Sequence, residues 1–187
     1  MPRTYGHLEA EQSEVVREFV AGKEVMDLGA GSLNLSAQLV GLGARKVVAV
    51  DRLLPRQAPE GVELLEYLFH NVQRRCEVVF VSWLVNWPVG ATRILEETET
   101  VVYLGKNTDG SSCGCLEVWR HLRGRELLRQ VPSRGNTLLV YGPRQVDRLP
   151  VGEELAAWDR EKSYGYDEAR RIAGEYNRQD ARDDSNL

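Results

Sequence analysis

The stretch that decides the fold is KEVMDLGAGSLNLSAQLVGLGARKVVAVD, residues 23–51. It reads as a short strand, a turn with glycines, a helix and a second strand. The turn contains Gly29 and Gly31, where the absence of a Cβ atom lets a ligand approach the backbone. Ser32 comes directly before the helical pattern, and we expect it to cap that helix. The stretch therefore predicts a β–α–β unit that has space for a ligand at its turn.

Two acidic residues flank this turn. Asp27 stands just before the glycines, and Asp51 ends the second strand, about 20 residues beyond the turn, where nucleotide-binding units place the acid that binds ribose hydroxyls. The dinucleotide fingerprint requires glycine at the sixth position of the turn, and counting from Gly29 that residue is Asn34. A carboxylate at Asp27 would also repel a pyrophosphate. These residues favour a nucleoside ligand without phosphates, with an ordinary glycine turn as the alternative.

The segment Asp27-Leu28-Gly29-Ala30-Gly31-Ser32-Leu33, together with Asp51, resembles the first motif of class I S-adenosylmethionine-dependent methyltransferases. It departs from the family pattern at Leu33, where a third glycine is expected. The resemblance implies a doubly wound, mostly parallel Rossmann-like α/β sheet of six to seven strands with helices on both faces. It implies S-adenosylmethionine as the cofactor, with the ligand ammonium near Asp27 and the ligand carboxylate near the helix N-terminus. The expected cofactor-binding residues are Asp27, Gly29, Ala30, Gly31, Asp51, Arg52, Tyr67, Ser82 and Trp83.

The end of the fourth predicted strand, residues 82–88, is where the resembled family places the methyl acceptor. Asn86 is our first candidate for orienting an acceptor, with Tyr103 and Asp109 behind it. The stretch contains two tryptophans, which either enclose a sulfonium by cation–π attraction or pack in the core. The common acceptor signatures of the family are missing here, and no residue stands out as an obligatory base. We expect no metal site.

The remaining elements follow from hydrophobic periodicity. A helix is expected at residues 8–20, and prolines after Asp51 predict that the second crossover helix is short or missing. An amphipathic helix is expected at residues 116–131, with its leucines inward and its arginines outward. Further strands are expected at 62–66, 76–81, 100–104 and, antiparallel, 136–141. Residues 1–150 would form the methyltransferase-like domain, and residues 151–187 a helical segment and acidic tail docked on it.

Composition limits the possible partners. The chain has 187 residues, of which 42% are hydrophobic, so one domain with one core suffices. The net charge of −4 does not support general nucleic-acid binding, although residues 120–148 are rich in arginine, and we expect a small-molecule acceptor. No apolar run suits a membrane span and no secretory segment is recognisable, which predicts a cytoplasmic protein with reduced cysteines. The oligomeric state stays open.

Two other functions are compatible with the same β–α–β unit. A catalytically silent module would bind S-adenosylmethionine or a partner and transfer nothing, and the missing acceptor signatures favour this alternative. An NAD-binding oxidoreductase is the weaker alternative because of Asp27 and the incomplete glycine fingerprint.

Overall fold

The computed structural model describes residues 7–51, 53–66, 72–82, 91–105, 122, 124–133 and 136–144. These residues contain three helices and seven strands. In chain order the elements are α1 (Ala10–Val20), β1 (Glu24–Leu28), α2 (Asn34–Gly41), β2 (Lys46–Asp51), β3 (Val62–Glu66), β4 (Val78–Ser82), α3 (Ala91–Glu96), β5 (Thr100–Gly105), β6 (Arg125–Ser133) and β7 (Asn136–Arg144).

The described strands form one sheet in the order β3-β2-β1-β4-β5-β7-β6. Strands β1 to β5 are parallel, β7 is antiparallel to β5, and β6 is antiparallel to β7. Strand β1 lies near the middle, and the later parallel strands are added on both sides of it. Because β1, β2 and β4 are parallel, their carboxyl ends lie at the same edge of the sheet. The expected doubly wound, mostly parallel Rossmann-like sheet is confirmed.

Helices cover both faces of this sheet. The central strands β2 and β4 are nearly continuous runs of valine, alanine and phenylalanine, the composition expected of a parallel sheet that is buried on both sides. One apolar cluster joins the strands to Val16 of α1 and Leu39 of α2. The other joins them to Leu95 of α3. The expectation of helices on both faces is therefore confirmed.

The connection from β2 to β3 has little regular secondary structure in its described residues. Residues 53–61 form no helix, as the prolines in this segment predict. Leu54 packs instead against a small cluster of Ala30, Leu33 and Ala49 beneath the glycine turn. The connection itself therefore contributes packing beneath the turn.

The helix expected at residues 116–131 is wrong over its second half, which forms strand β6. Two adjacent leucines fit a helical period as well as a strand, and pairing with β7 decides for the strand. Leu127, expected inward, is 47% exposed, whereas Arg125, expected outward, is buried. The antiparallel strand predicted at 136–141 is confirmed as β7.

The cap expected from Ser32 is also wrong. The N-cap of α2 is Leu33, and no side chain of the described residues caps this helix. The boundary between residues 150 and 151 and the C-terminal segment lie outside the described residues. Within the described part of the chain, no helix is long and apolar enough to cross a membrane.

Candidate functional site

The glycine turn lies at the carboxyl end of β1 and is fastened to β2. The backbone N–H groups of Gly29 and Ala30 donate to the carbonyl oxygen of Val50, at 2.8 and 3.2 Å. Gly29 and Gly31 have φ angles of 81° and 49°, which glycine adopts without steric cost. The turn therefore has a fixed position relative to the end of β2.

Leu33, at the position where the family pattern has a third glycine, adopts a backbone conformation that favours glycine. Its φ angle is 65°, in the left-handed region, which costs a residue with a Cβ atom about 1–2 kcal/mol. The side chain is 3% exposed and packs with Ala30 and Ala49, so apolar burial offsets that cost. Leu33 is thus held in the left-handed conformation by its packing beneath the turn.

Asp27 is a fully buried carboxylate directly beside the turn. It alternates along β1 with Met26 and Leu28, so it points to the opposite face from them, where α2 lies. The hydroxyl of Ser36 in α2 donates to Asp27 Oδ2 at 2.6 Å. Asp27 Oδ1 is buried and has no hydrogen-bond partner among the described residues. One of the two carboxylate oxygens therefore keeps an unused capacity to accept a hydrogen bond.

The environment of Asp27 disfavours its charged form. The pKa of Asp27 is raised from 3.8 to about 6; burial is the largest cause, the Ser36 hydrogen bond lowers the pKa, and the nearby Asp51 carboxylate also raises it. At neutral pH the group is mostly ionised, buried and without a cation among the described residues. A positively charged ligand group would remove this electrostatic penalty.

Asp51 is half-buried at the end of β2 and holds the turn from the other side. Its Oδ2 accepts from the N–H of Gly31 at 2.9 Å, and its Oδ1 accepts from the N–H of Leu53 at 3.2 Å. Each carboxylate oxygen can accept more than one hydrogen bond. Asp51 therefore keeps capacity for ligand hydroxyls while it orders the turn.

The space beside Gly31 is open. A Cβ atom placed on Gly31 would meet only the carbonyl oxygen of Gly29, at 3.9 Å, among the described residues beyond its chain neighbours. Leu53, two residues after Asp51, is 74% exposed and is one of the two large apolar side chains exposed in the described residues. An open backbone turn between two carboxylates, with an apolar side chain near one of them, has the chemistry of a nucleoside site.

The structure describes two further predicted site residues, Ser82 and Tyr103, and they lie in different parts of the fold. Ser82 ends β4 at the same edge as the turn and is 8% exposed. Tyr103 is fully buried in the core cluster on the α3 face, with Met26 and Val79. Tyr103 is thus a core residue in this structure. The predicted site residues that lie outside the described residues are Arg52, Tyr67, Trp83, Asn86 and Asp109.

One residue of this site, Ser36, was missing from the sequence prediction. Ser36 lies on the buried face of α2 between Leu35 and Leu39, and a serine on an otherwise apolar helix face was the available signal.

S-adenosylmethionine fits the chemistry of these donors and acceptors. Its ammonium matches the unpartnered oxygen of Asp27, its ribose hydroxyls match the spare acceptor capacity of Asp51, and it carries no phosphate that the two acids would repel. A metal site is not found in the described part of the chain, where no group of three or more histidine, cysteine or acidic side chains is arranged to hold an ion.

Comparisons with known proteins support the fold. No family model and no curated protein matches the sequence. Among solved structures, a 1,6-didemethyltoxoflavin-N1-methyltransferase from Burkholderia thailandensis, with S-adenosylhomocysteine bound, aligns with a TM-score of 0.53 at 14% identity, over 71% of this chain and 78% of its own. A protein of Pyrococcus horikoshii assigned as an RNA methyltransferase gives a TM-score of 0.55 at 14% identity, over 72% of this chain and 82% of its own.

A third similar structure is CalO1, a methyltransferase of calicheamicin biosynthesis in its S-adenosylhomocysteine-bound form. It aligns with a TM-score of 0.51 at 20% identity, over 72% of this chain and 53% of its own. At these identities the likeness concerns the fold. The chain has the Rossmann-like fold of class I S-adenosylmethionine-dependent methyltransferases.

Proposed function

We propose that the chain is an S-adenosylmethionine-dependent methyltransferase that acts on a small-molecule acceptor. The observation that carries the proposal is the buried Asp27 carboxylate, which has one unpartnered oxygen and no cation partner among the described residues. Asp51 stands at the end of the neighbouring strand and raises the pKa of Asp27 through its charge. This fold places ligands at that edge of the sheet.

Each described site residue has a distinct part in binding. Asp27 accepts the ligand ammonium, and Asp51 accepts the ribose hydroxyls while it holds the N–H of Gly31. The backbone from Gly29 to Gly31 lets the ligand approach closely. The exposed Leu53 covers one side of the adenine, together with Arg52 and Tyr67.

When bound, S-adenosylmethionine supplies an electrophilic methyl group, and the reaction is an in-line displacement at that carbon. The chain therefore needs to align an acceptor and exclude water more than it needs a strong base. We assign acceptor orientation to Asn86 and Asp109, and placement at the cofactor to Ser82 and Trp83. Tyr103 is left out because its side chain is fully buried in the core.

The net charge of −4 and the pI near 5.5 support a small-molecule acceptor over RNA. An NAD-dependent reaction is disfavoured at this site, because a pyrophosphate at the turn would lie beside the Asp27 carboxylate.

Titration calorimetry with S-adenosylmethionine, S-adenosylhomocysteine and NAD tests the cofactor. We expect both adenosyl ligands to bind and NAD to give no signal. Asp51→Asn should weaken S-adenosylhomocysteine binding at least tenfold, since charged hydrogen-bond acceptors contribute roughly 1.5–3 kcal/mol. The matched control is Glu60→Ala, which removes an exposed acid from the β2–β3 connection and should leave the affinity unchanged. Binding of NAD alone would overturn the assignment.

Transfer of a labelled methyl group tests the reaction and its acceptor. The protein is incubated with labelled S-adenosylmethionine and either a small-molecule filtrate or the RNA of a cell extract. Label in the filtrate supports the proposal, and label in RNA contradicts the acceptor class while it confirms the reaction. Cofactor binding without transfer to any fraction would contradict the catalytic function.

A further inference from the structure

We propose that Ser36 is a positioning residue of the cofactor site: its hydroxyl fixes one oxygen of Asp27 and leaves the other for a ligand ammonium. This inference rests on the proposed function. It concerns a residue of α2 that lies outside the glycine turn and that the first motif of the resembled family did not point to.

The position of Ser36 is unusual for a polar residue. It is fully buried on the face of α2 that packs against the sheet, beside Leu35 and close to Leu39. A hydroxyl buried among leucines is costly unless it is hydrogen-bonded. Its hydrogen bond within the described residues goes to Asp27 Oδ2, at 2.6 Å, a length typical of a hydroxyl that donates to an ionised carboxylate.

The bond also determines which carboxylate oxygen stays available. Asp27 Oδ2 is engaged by Ser36, whereas Oδ1 is buried and has no partner in the described part of the chain. A carboxylate held at one oxygen has lost most of its rotational freedom before a ligand arrives. The site therefore binds an ammonium at a lower entropic cost than a freely rotating carboxylate would.

The Ser36 hydroxyl also affects the ionisation of Asp27, because the other groups around Asp27 do not favour its charged form. In register with Asp27, β2 contributes Ala49 and β4 contributes Phe80, and neither can donate a side-chain hydrogen bond. From α2 comes Ser36, which lowers the pKa of Asp27. From the end of β2 comes the Asp51 carboxylate, which raises it, as burial does. In the described residues, Ser36 is thus the group that acts in favour of the ionised form.

Removal of the hydroxyl should therefore change the pH dependence of binding. The ligand ammonium requires an ionised Asp27, so the affinity of the native protein should fall as the pH drops through about 6. In Ser36→Ala the carboxylate loses its donor, and we expect the inflection to move to higher pH by about one unit. At pH 6 the variant should bind roughly fivefold more weakly than the native protein, and the difference should narrow toward pH 7.5.

The test is calorimetry from pH 5 to 7.5 with two probes, S-adenosylhomocysteine and adenosine. This range lies below the usual pKa of an α-amino group, about 7.7–8.0, so the probe's ammonium is fully charged near pH 6 and mostly charged at pH 7.5. Adenosine lacks the ammonium, and its affinity should not follow Asp27. Ser36→Thr keeps the hydroxyl and should behave like the native protein, as should Ser13→Ala, which removes a half-buried hydroxyl from α1. Circular dichroism verifies that each variant is folded.

A double-mutant cycle separates positioning from packing. In the Asp27→Asn background, Ser36→Ala should have little further effect on S-adenosylhomocysteine affinity, because the partner carboxylate is already gone. If the native protein binds with a pH inflection and Ser36→Ala leaves that inflection in place, the role of Ser36 is refuted while the proposed function stands. If the native protein binds neither probe, the proposed function itself fails.

Discussion

The two ends of the parallel strands treat acidic side chains in opposite ways. At the amino ends, Glu24 and Glu63 both bind Arg74, with nitrogen–oxygen distances of 2.7 Å, and Lys46 also binds Glu63. At the carboxyl ends, Asp27 and Asp51 receive only neutral donors from the described residues. At the edge of the sheet formed by the amino ends, which we call the amino edge, Glu24 and Glu63 are paired with cations. The opposite edge, the carboxyl edge, keeps negative charge that a cationic ligand can neutralise.

The amino edge also contains a buried cation, whose charge is compensated by backbone carbonyl groups. Arg125 is buried, and its guanidinium donates to the carbonyl oxygens of Thr98 at 2.6 Å, Gly142 at 2.8 Å and Glu99 at 3.3 Å, and also to that of Leu95. These carbonyls belong to α3, to the segment after it and to β7, so the side chain joins three parts of the chain. Charge is buried at both edges, but only at the carboxyl edge does a buried side-chain oxygen of the described residues stay unpartnered.

The largest expected effect is therefore on stability at the amino edge. Arg125→Met should lower the free energy of unfolding by about 4 kcal/mol, because it removes three buried hydrogen bonds that the guanidinium donates to backbone carbonyl oxygens. Urea unfolding measures it. The matched control is Arg129→Met on the same strand, whose side chain is 54% exposed and 3.7 Å from Glu18; we expect a change below about 0.5 kcal/mol. A loss below about 1 kcal/mol for Arg125→Met would show that water replaces the guanidinium and that this edge does not depend on its buried cation.

Arg125 also shows where prediction from the sequence reached its limit. The β–α–β unit was predictable, because Val47 to Val50 and the glycines after Asp27 give a strong local signal. The segment around Arg125 gave a weak signal, since its leucines fit two periods and its strand depends on pairing with β7, which follows it. Burial of an arginine is determined by carbonyl groups of distant segments, and no local pattern encodes those.

The candidate site was predictable to a similar extent. Asp27 and Asp51 were recognisable from their positions at strand ends. The unpartnered oxygen of Asp27 was not, because it depends on how α2 presents Ser36 to β1. Local sequence thus identified the acids, and tertiary packing determined which oxygen is available.

The second effect combines stability with binding at the carboxyl edge. A folded-state pKa raised from 3.8 to about 6 means that Asp27 costs little below pH 4, destabilises the fold increasingly as the pH rises from about 4 to about 6, and exerts its full penalty above that range. The full penalty is roughly 3 kcal/mol. Asp27→Asn should therefore raise the free energy of unfolding at pH 8 by about 2 kcal/mol and weaken S-adenosylhomocysteine binding by at least 30-fold, roughly 2 kcal/mol.

Urea unfolding at pH 4 and pH 8 tests the sign of this effect. The gain from Asp27→Asn should be present at pH 8 and nearly absent at pH 4, where the native carboxyl is protonated. A variant that is less stable than the native protein at pH 8 would mean that the Asp27 charge is compensated in the unliganded protein, and the contrast between the two edges would be lost.

The third effect concerns the open space at the turn. Gly31→Ala should lower stability by about 1 kcal/mol, because φ is 49°, and should weaken S-adenosylhomocysteine binding at least tenfold, because the methyl group occupies ligand space. Gly41→Ala is the matched control. Gly41 ends α2, and a methyl group there would have nothing within 4 Å among the described residues, so this variant should gain up to about 1 kcal/mol with unchanged affinity. Equal affinities for the two variants would mean that the ligand does not approach Gly31.

The smallest expected effect is that of breaking the ion pairs at the amino edge, and it tests whether those ion pairs influence ligand binding at the carboxyl edge. Arg74→Met breaks ion pairs that are about one-third exposed, so it should cost only about 1 kcal/mol and less at high salt. Arg75→Met removes a neighbouring arginine that is 73% exposed and paired with Glu97, and it should cost less still. Both variants should bind S-adenosylhomocysteine as the native protein does, because the amino edge lies a full strand length from the turn. A loss of affinity confined to Arg74→Met would show that the ion pairs at Glu24 help to hold β1, and with it the carboxylate that the ligand requires.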